Sequence, residues 1–269
     1  MAEVHKASIT YLKGQRPLLE QLNVAHVFGY NVLFEAVPSD FESLTKIGYF
    51  PFAEATIEMN YAVAFGLGGV YKTAYSCLRR FLELCFTGLF FLCLESKKMD
   101  GVQWLKGQKN TPFKSNILEK LFEEPYFQQA DKSFRYQEIV NQVYSKLNDY
   151  VHTKGKDLGH LSMSHSNLPS FVPESLKKFI DTTNDTAEVI AIALILKYPW
   201  LLIPLPVTEK FGSNPPLTGF LEHRDVELIE RLISPEKLGF LRELSEADEG
   251  AQSIKNWMES RPDIPYDLI

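Results

Sequence analysis

Four side chains able to donate and accept hydrogen bonds share one side of a single predicted helix. In the segment from Tyr136 to Val151, Asn141, Ser145, Asn148 and His152 fall within an arc of about 60° at roughly 100° per residue. The stripe lies beside an apolar face in which Tyr136, Ile139, Val140, Val143, Tyr144, Leu147, Tyr150 and Val151 recur at threes and fours. Amide, hydroxyl and imidazole groups are costly to bury unpaired, so these four must meet water, a neighbouring helix or a ligand. Inter-helix or end-capping hydrogen bonds near a helix stop at Gly155 would satisfy them without any ligand.

Other polar groupings carry less. Arg79, Arg80 and Glu83 lie in an apolar stretch, where Arg79 and Glu83 have the i, i+4 spacing of a helical ion pair. His152, His160 and His165 gather in VHTKGKDLGHLSMSHSN, but irregular spacing and the lack of a nearby cysteine give no metal-ligand set. Gly66-Leu67-Gly68-Gly69 has no strand before it and no Gly-Lys-Ser/Thr after it, so it reads as a helix break or a point of close packing. No nucleophilic triad or catalytic carboxylate pair can be assembled from local spacing. No metal and no cofactor is expected.

The elements that must hold these residues are helical. From about Ala53 to Leu94 the apolar positions Tyr71, Ala74, Tyr75, Leu78, Leu82, Cys85, Phe86, Leu89 and Cys93 keep helical spacing, and from Phe81 on nearly every side is apolar. That pattern describes a central helix covered by others. The glycines at 66, 68 and 69 should split the stretch in two, since each costs about 1 kcal/mol against alanine inside a helix. A third long helix should run from Pro173 to Tyr198, with shorter ones over Pro112 to Glu124, His223 to Ile233 and Pro235 to Leu244. Thr111-Pro112 and Ser234-Pro235 have the residue types of an N-cap followed by proline in the first turn. Pro38, Pro125 and Pro199 read as helix ends or loop starts. Period-two alternation is missing. The expectation is an all-α protein: an N-terminal segment (1–50) packed on a helical bundle (51–205), then a proline-rich crossing into an acidic helical extension (206–269).

The composition fits folded protein, with 45% hydrophobic and 23% charged residues. A net charge of −6 does not support a surface built as a trap for nucleic acid or anionic lipid, although a local basic patch stays open. Phe81 to Leu94 is interrupted by Glu83 and is short, and Val189 to Leu205 contains Lys197, Pro199 and Pro204, so neither reads as a membrane span. The start lacks a basic region followed by an apolar run, which makes the cytoplasm the default location. Cys77, Cys85 and Cys93 sit on one predicted helix, where a spacing of eight residues at about 1.5 Å per residue is too long for a disulfide, so reduced core thiols are expected.

Three segments together resemble a known family. A long helix carrying YKTAYSCLRRFLELC, an amphipathic helix ending in KLNDYVHTKG, and a further helix opened by Pro173 are similar to the HEPN superfamily of compact helical bundles, over roughly residues 55 to 200. The family includes prokaryotic toxins, antiviral proteins and their inactive relatives. Its active members are metal-independent ribonucleases with an arginine, four to six residues, then a histidine, often with a polar residue just after the arginine. On that pattern His152 matches the histidine and Asn148 the polar position, but the arginine position holds Leu147, and the neighbouring Lys146 is a poor bidentate phosphate contact. The family's histidine would move a proton at the ribose 2′-hydroxyl while its arginine steadies charge on the phosphate. Only Arg79 or Arg80 could replace that charge, and only if the bundle brings one beside His152.

The resemblance therefore implies an HEPN-like, non-catalytic binding or assembly protein, of a kind found in bacterial defence or toxin-related systems. It also implies a homo-oligomer, and a protein partner is open. One alternative is a ribonuclease using His152, Asn148 and a displaced arginine. Another is a small-ligand or nucleotide binder, since 19 Phe and 12 Tyr could line a pocket.

Overall fold

The helical spacing of apolar residues is realised throughout the described residues. The computed structural model describes residues 1–38, 49–93, 97–166, 168–212 and 218–264, apart from the side chains of Cys93 and Lys98, and every regular element among them is helical. The N-terminal segment forms α1 (Ala2–Gly14), α2 (Arg16–Val27), a π-helical turn over Phe28–Val32 and α3 (Leu33–Ala36). Next come α4 (Tyr49–Leu67), α5 (Tyr71–Cys93), α6 (Lys98–Leu105), α7 (Lys114–Leu121), α8 (Pro125–Phe134), α9 (Tyr136–Val151) and α10 (His160–Ser164). The chain continues through α11 (Pro173–Lys197), α12 (Val207–Phe211), α13 (His223–Leu232), α14 (Pro235–Ala247) and α15 (Glu249–Glu259).

The central helix is α5, which packs against α4, α7, α9 and α11. Tyr75, Leu78, Phe81, Leu82, Cys85, Phe86 and Leu89 are all essentially inaccessible along it. Gly66, in the last turn of α4, serves close packing, and Gly69, between α4 and α5, serves a turn. A Cβ on Gly66 would stand 2.3 Å from the Phe179 ring, and Gly69 turns the chain at φ 75°. Helix α11 crosses α5 and α2 and buries Thr182, Thr183 and Thr186, whose hydroxyls each donate to the carbonyl four residues back. That local bond lets three hydroxyls enter an apolar core at little cost.

Leu12, Leu22 and Phe28 at the N-terminus, and Ile229, Leu232 and Leu241 near the C-terminus, belong to the same apolar core as the bundle. Leu205, Val207 and Met258 form a small separate cluster.

Two expectations about prolines are corrected. Pro125 opens α8 rather than ending a helix, because proline at the first helical position supplies the right φ and lacks only an N–H that would be unpaired anyway. Pro112 stands outside its helix: α7 begins at Lys114 with Phe113 as the N-cap. Cys77 and Cys85 are buried free thiols. The Cys93 side chain lies outside the described residues. No described helix is long and apolar enough to cross a membrane.

Candidate functional site

Helix α9 displays the polar stripe because both its ends are fixed by unusual backbone. Arg135, in the left-handed region at φ 56°, turns the chain from α8 into α9. At the other end His152 is the C-cap, and Thr153 and Gly155 at φ 52° and 89° lead the chain away. Tyr136, Val140, Val143, Tyr144, Leu147 and Tyr150 are buried, which turns Asn141, Ser145, Asn148 and His152 to the margin of the α5–α9 seam.

Arg79 crosses that seam. Its Nε and Nη2 donate to Glu83 Oε1 at 2.9 and 2.6 Å, and its Nη1 donates to Asn148 Oδ1. The guanidinium carbon stands 5.0 Å from the Tyr144 ring centroid, a cation–π distance. The Lys114 ammonium, from α7, lies 5.0 Å from the same ring and donates to Asn141 Oδ1 at 2.9 Å. Burial, and then the Arg79 charge, hold the Lys114 ammonium below its usual pKa. Lys72, one face-length earlier on α5, donates to Thr153 Oγ1 beside His152. A row of three cations thus runs along α9.

The predicted residues separate into three groups. Asn141 and Asn148 have inter-helix partners, whereas Ser145 and His152 are exposed and make no side-chain hydrogen bond among the described residues. Arg79 is brought to the stripe. Arg80 is not: its Nε and Nη2 bond Glu58 of α4 at 2.7 and 2.8 Å, because one residue is about 100° of helix turn. Leu147, at the family's arginine position, is fully buried, and Lys146 points to Asp185 of α11 at 3.0 Å, so neither supplies a charge to His152. Lys72 could have been found from sequence, since it lies seven residues before Arg79 and so on the same helix face. Lys114 could not, because only the packing of α7 on α5 carries it there.

His160 begins α10 and His165 follows its end. Among the described residues no three His, Cys, Asp or Glu side chains converge as a metal site. The aromatic residues mostly pack on each other, as in the coplanar Tyr75–Tyr150 stack at 3.7 Å. That stack backs a cavity of about 290 Å3 lined also by Asp157, His165, Val172, Glu174 and Lys178, at the small end of ligand sites.

Comparison with known proteins places this geometry in no class: no family model, curated protein or solved structure matches the chain.

Proposed function

We propose that this chain is an HEPN-like, non-catalytic helical protein that binds a partner across the α5–α9 seam. One observation carries the reading: Arg79, the arginine nearest the polar stripe, is already neutralised by Glu83 and held by Asn148. A guanidinium committed to a carboxylate adds little net positive charge for a phosphate in a transition state. Among the described residues His152 also has no hydrogen-bonding group that would orient its ring for proton transfer. Asn148 acts as a link between α9 and α5, and the exposed Ser145 and His152 are free to contact a partner.

A ribonuclease is the second reading, favoured by the contact of Arg79 with Asn148, one helical turn before His152. The two are separated by purified protein incubated with mixed RNA in the absence of metal. The expected result is no cleavage by the wild type and none by Glu83→Gln, in which Arg79 regains its charge. Cleavage by wild type that is lost in a folded His152→Ala protein overturns the non-catalytic reading. Cleavage appearing only in Glu83→Gln would show that the site's chemistry is held back by that carboxylate, and would also overturn it.

A further inference from the structure

Helix α4 is apolar on nearly all sides, a composition that belongs to a covered helix. One face is nonetheless open. Phe50, Ile57 and Tyr61 keep 47, 45 and 53% of their surface exposed. Their spacings of seven and four residues place them on one stripe, flanked by Ala53 and Ala64. The π-helical turn extends the patch by presenting Tyr30, 47% exposed, against His26, which bonds Asn60 of α4 at 2.7 Å. A π-turn inserted into a helix rotates the following side chains, and such turns recur at working surfaces.

We infer that this face of α4 joins two copies of the chain, packed antiparallel about a two-fold axis at Ile57. The surface is complementary to itself, as a two-fold contact requires. Counting outward from Ile57 sets Tyr61 against Ala53 of the second copy and Phe50 against Ala64, so that large side chains fall on small ones, while the Ile57 side chains meet on the axis. The charges agree with this arrangement. Glu54 falls on the same edge of the seam as Glu58 of the second copy, and Glu58 is neutralised within its own chain by Arg80, so Glu54 meets an arginine–carboxylate pair rather than a bare carboxylate. Antiparallel helices also set opposite dipole ends together.

The area suffices as a core. With aromatic side chains of about 200 Å2, the open parts of Tyr30, Phe50, Ile57 and Tyr61 sum to roughly 350 Å2 per copy. That is close to half of the ~800 Å2 each partner gives to a standard interface, and the half-exposed Arg80 with Glu54 and Phe65 forms a rim. The resemblance implies self-association but names no surface; this surface lies away from the α9 stripe. Adjacent arginines mark the two directions, Arg80 toward α4 and Arg79 toward α9. Dimerisation through α4 therefore leaves both stripes open, and it does not depend on what the stripe binds.

The test is the mass of the full chain by sedimentation equilibrium from 1 to about 100 µM, a range chosen to span the weak to moderate affinity of a patch this size. The expected result is a dimer for wild type and a shift of at least tenfold toward monomer for Ile57→Lys, which places two ammonium groups on the axis. Leu161→Lys, at an exposed apolar residue on α10, should not change the mass. Ile57→Cys should cross-link to itself under mild oxidation, whereas Leu161→Cys should not. Circular dichroism confirms that each variant is folded. A wild type that is monomeric throughout, a dimer that survives Ile57→Lys, or an Ile57→Cys that fails to cross-link overturns the inference. None of these results bears on RNA cleavage, which tests the α9 reading separately.

Discussion

Replacing Gly66 with alanine should destabilise the protein even though alanine is the better helix former. Gly66 lies in the last turn of α4, so the exchange gains at most about 1 kcal/mol of helix propensity. Against this, the new methyl would stand 2.3 Å from Cε1 and 2.7 Å from Cδ1 of Phe179. Phe179 has no room to retreat: it is fully buried and packs edge-on to Tyr75 at 5.9 Å, which is itself stacked on Tyr150. Overpacking of this kind costs about 1–3 kcal/mol, and a rigid, enclosed ring argues for the upper end or beyond. The net loss should be about 2 kcal/mol, which lowers Tm by roughly 4–8 °C in a chain of this size. Gly239, in the middle of α14, provides the control, because a Cβ there meets nothing within 4 Å. Gly239→Ala should raise Tm by about 2–4 °C from propensity alone. Thermal melts followed by circular dichroism at the helical band measure both. If Gly66→Ala melts at or above wild type, the close packing of α4 on α11 at Phe179 is refuted.

Three further outcomes can be checked directly. The Cys77 pKa is pushed up to about 11 by burial first and by Glu58 next, and burial raises that of Cys85 well above the ordinary thiol value, so neither should react with a bulky thiol reagent in native protein at pH 8. Because the folded state favours the neutral thiols, their contribution is complete below the ordinary thiol pKa and is lost as pH rises through about 11; denaturant midpoints should fall over that window. Asp225 is raised by burial first and by Glu222, against the opposing Arg224, so its charged form is disfavoured in the fold. Asp225→Asn should therefore raise the denaturant midpoint at pH 7, with the gain vanishing below the ordinary carboxylate pKa, and an unchanged gain at pH 3 would refute the cause. Ser8 is fully inaccessible and its Oγ has no hydrogen-bond partner among the described residues, so Ser8→Ala should gain about 1 kcal/mol in chemical unfolding.

The helices themselves are legible in the sequence because burial imposes a period. The face from Tyr136 to Val151, the break near Gly66 and the long run from Pro173 each follow from residues that must point inward together. The first 50 residues show no comparably clear period, yet Leu12, Leu22 and Phe28 carry α1, α2 and the π-turn into the shared core. Pro125 is ambiguous in sequence, since one proline can end a helix or begin one, and the nine residues after it, which form the rest of α8, decide the matter. The polar stripe on α9 is visible as spacing. Its partners are not: Arg79 and Lys114 reach Asn148 and Asn141 only after α5 and α7 pack beside α9, a tertiary event with no local signature.

Arg79 and Arg80 are the same residue type and adjacent in the chain, yet they are not exchangeable. One ties the central helix to the polar margin of the bundle, and the other ties it to the apolar helix on a different side. A shift of a single position when this segment is aligned with another sequence would swap their roles and leave every count of charges unchanged. An arginine pair matched only as a pair is thus uninformative; a protein built the same way is identified by which arginine faces an asparagine four residues before a histidine, and which faces a glutamate on the preceding helix.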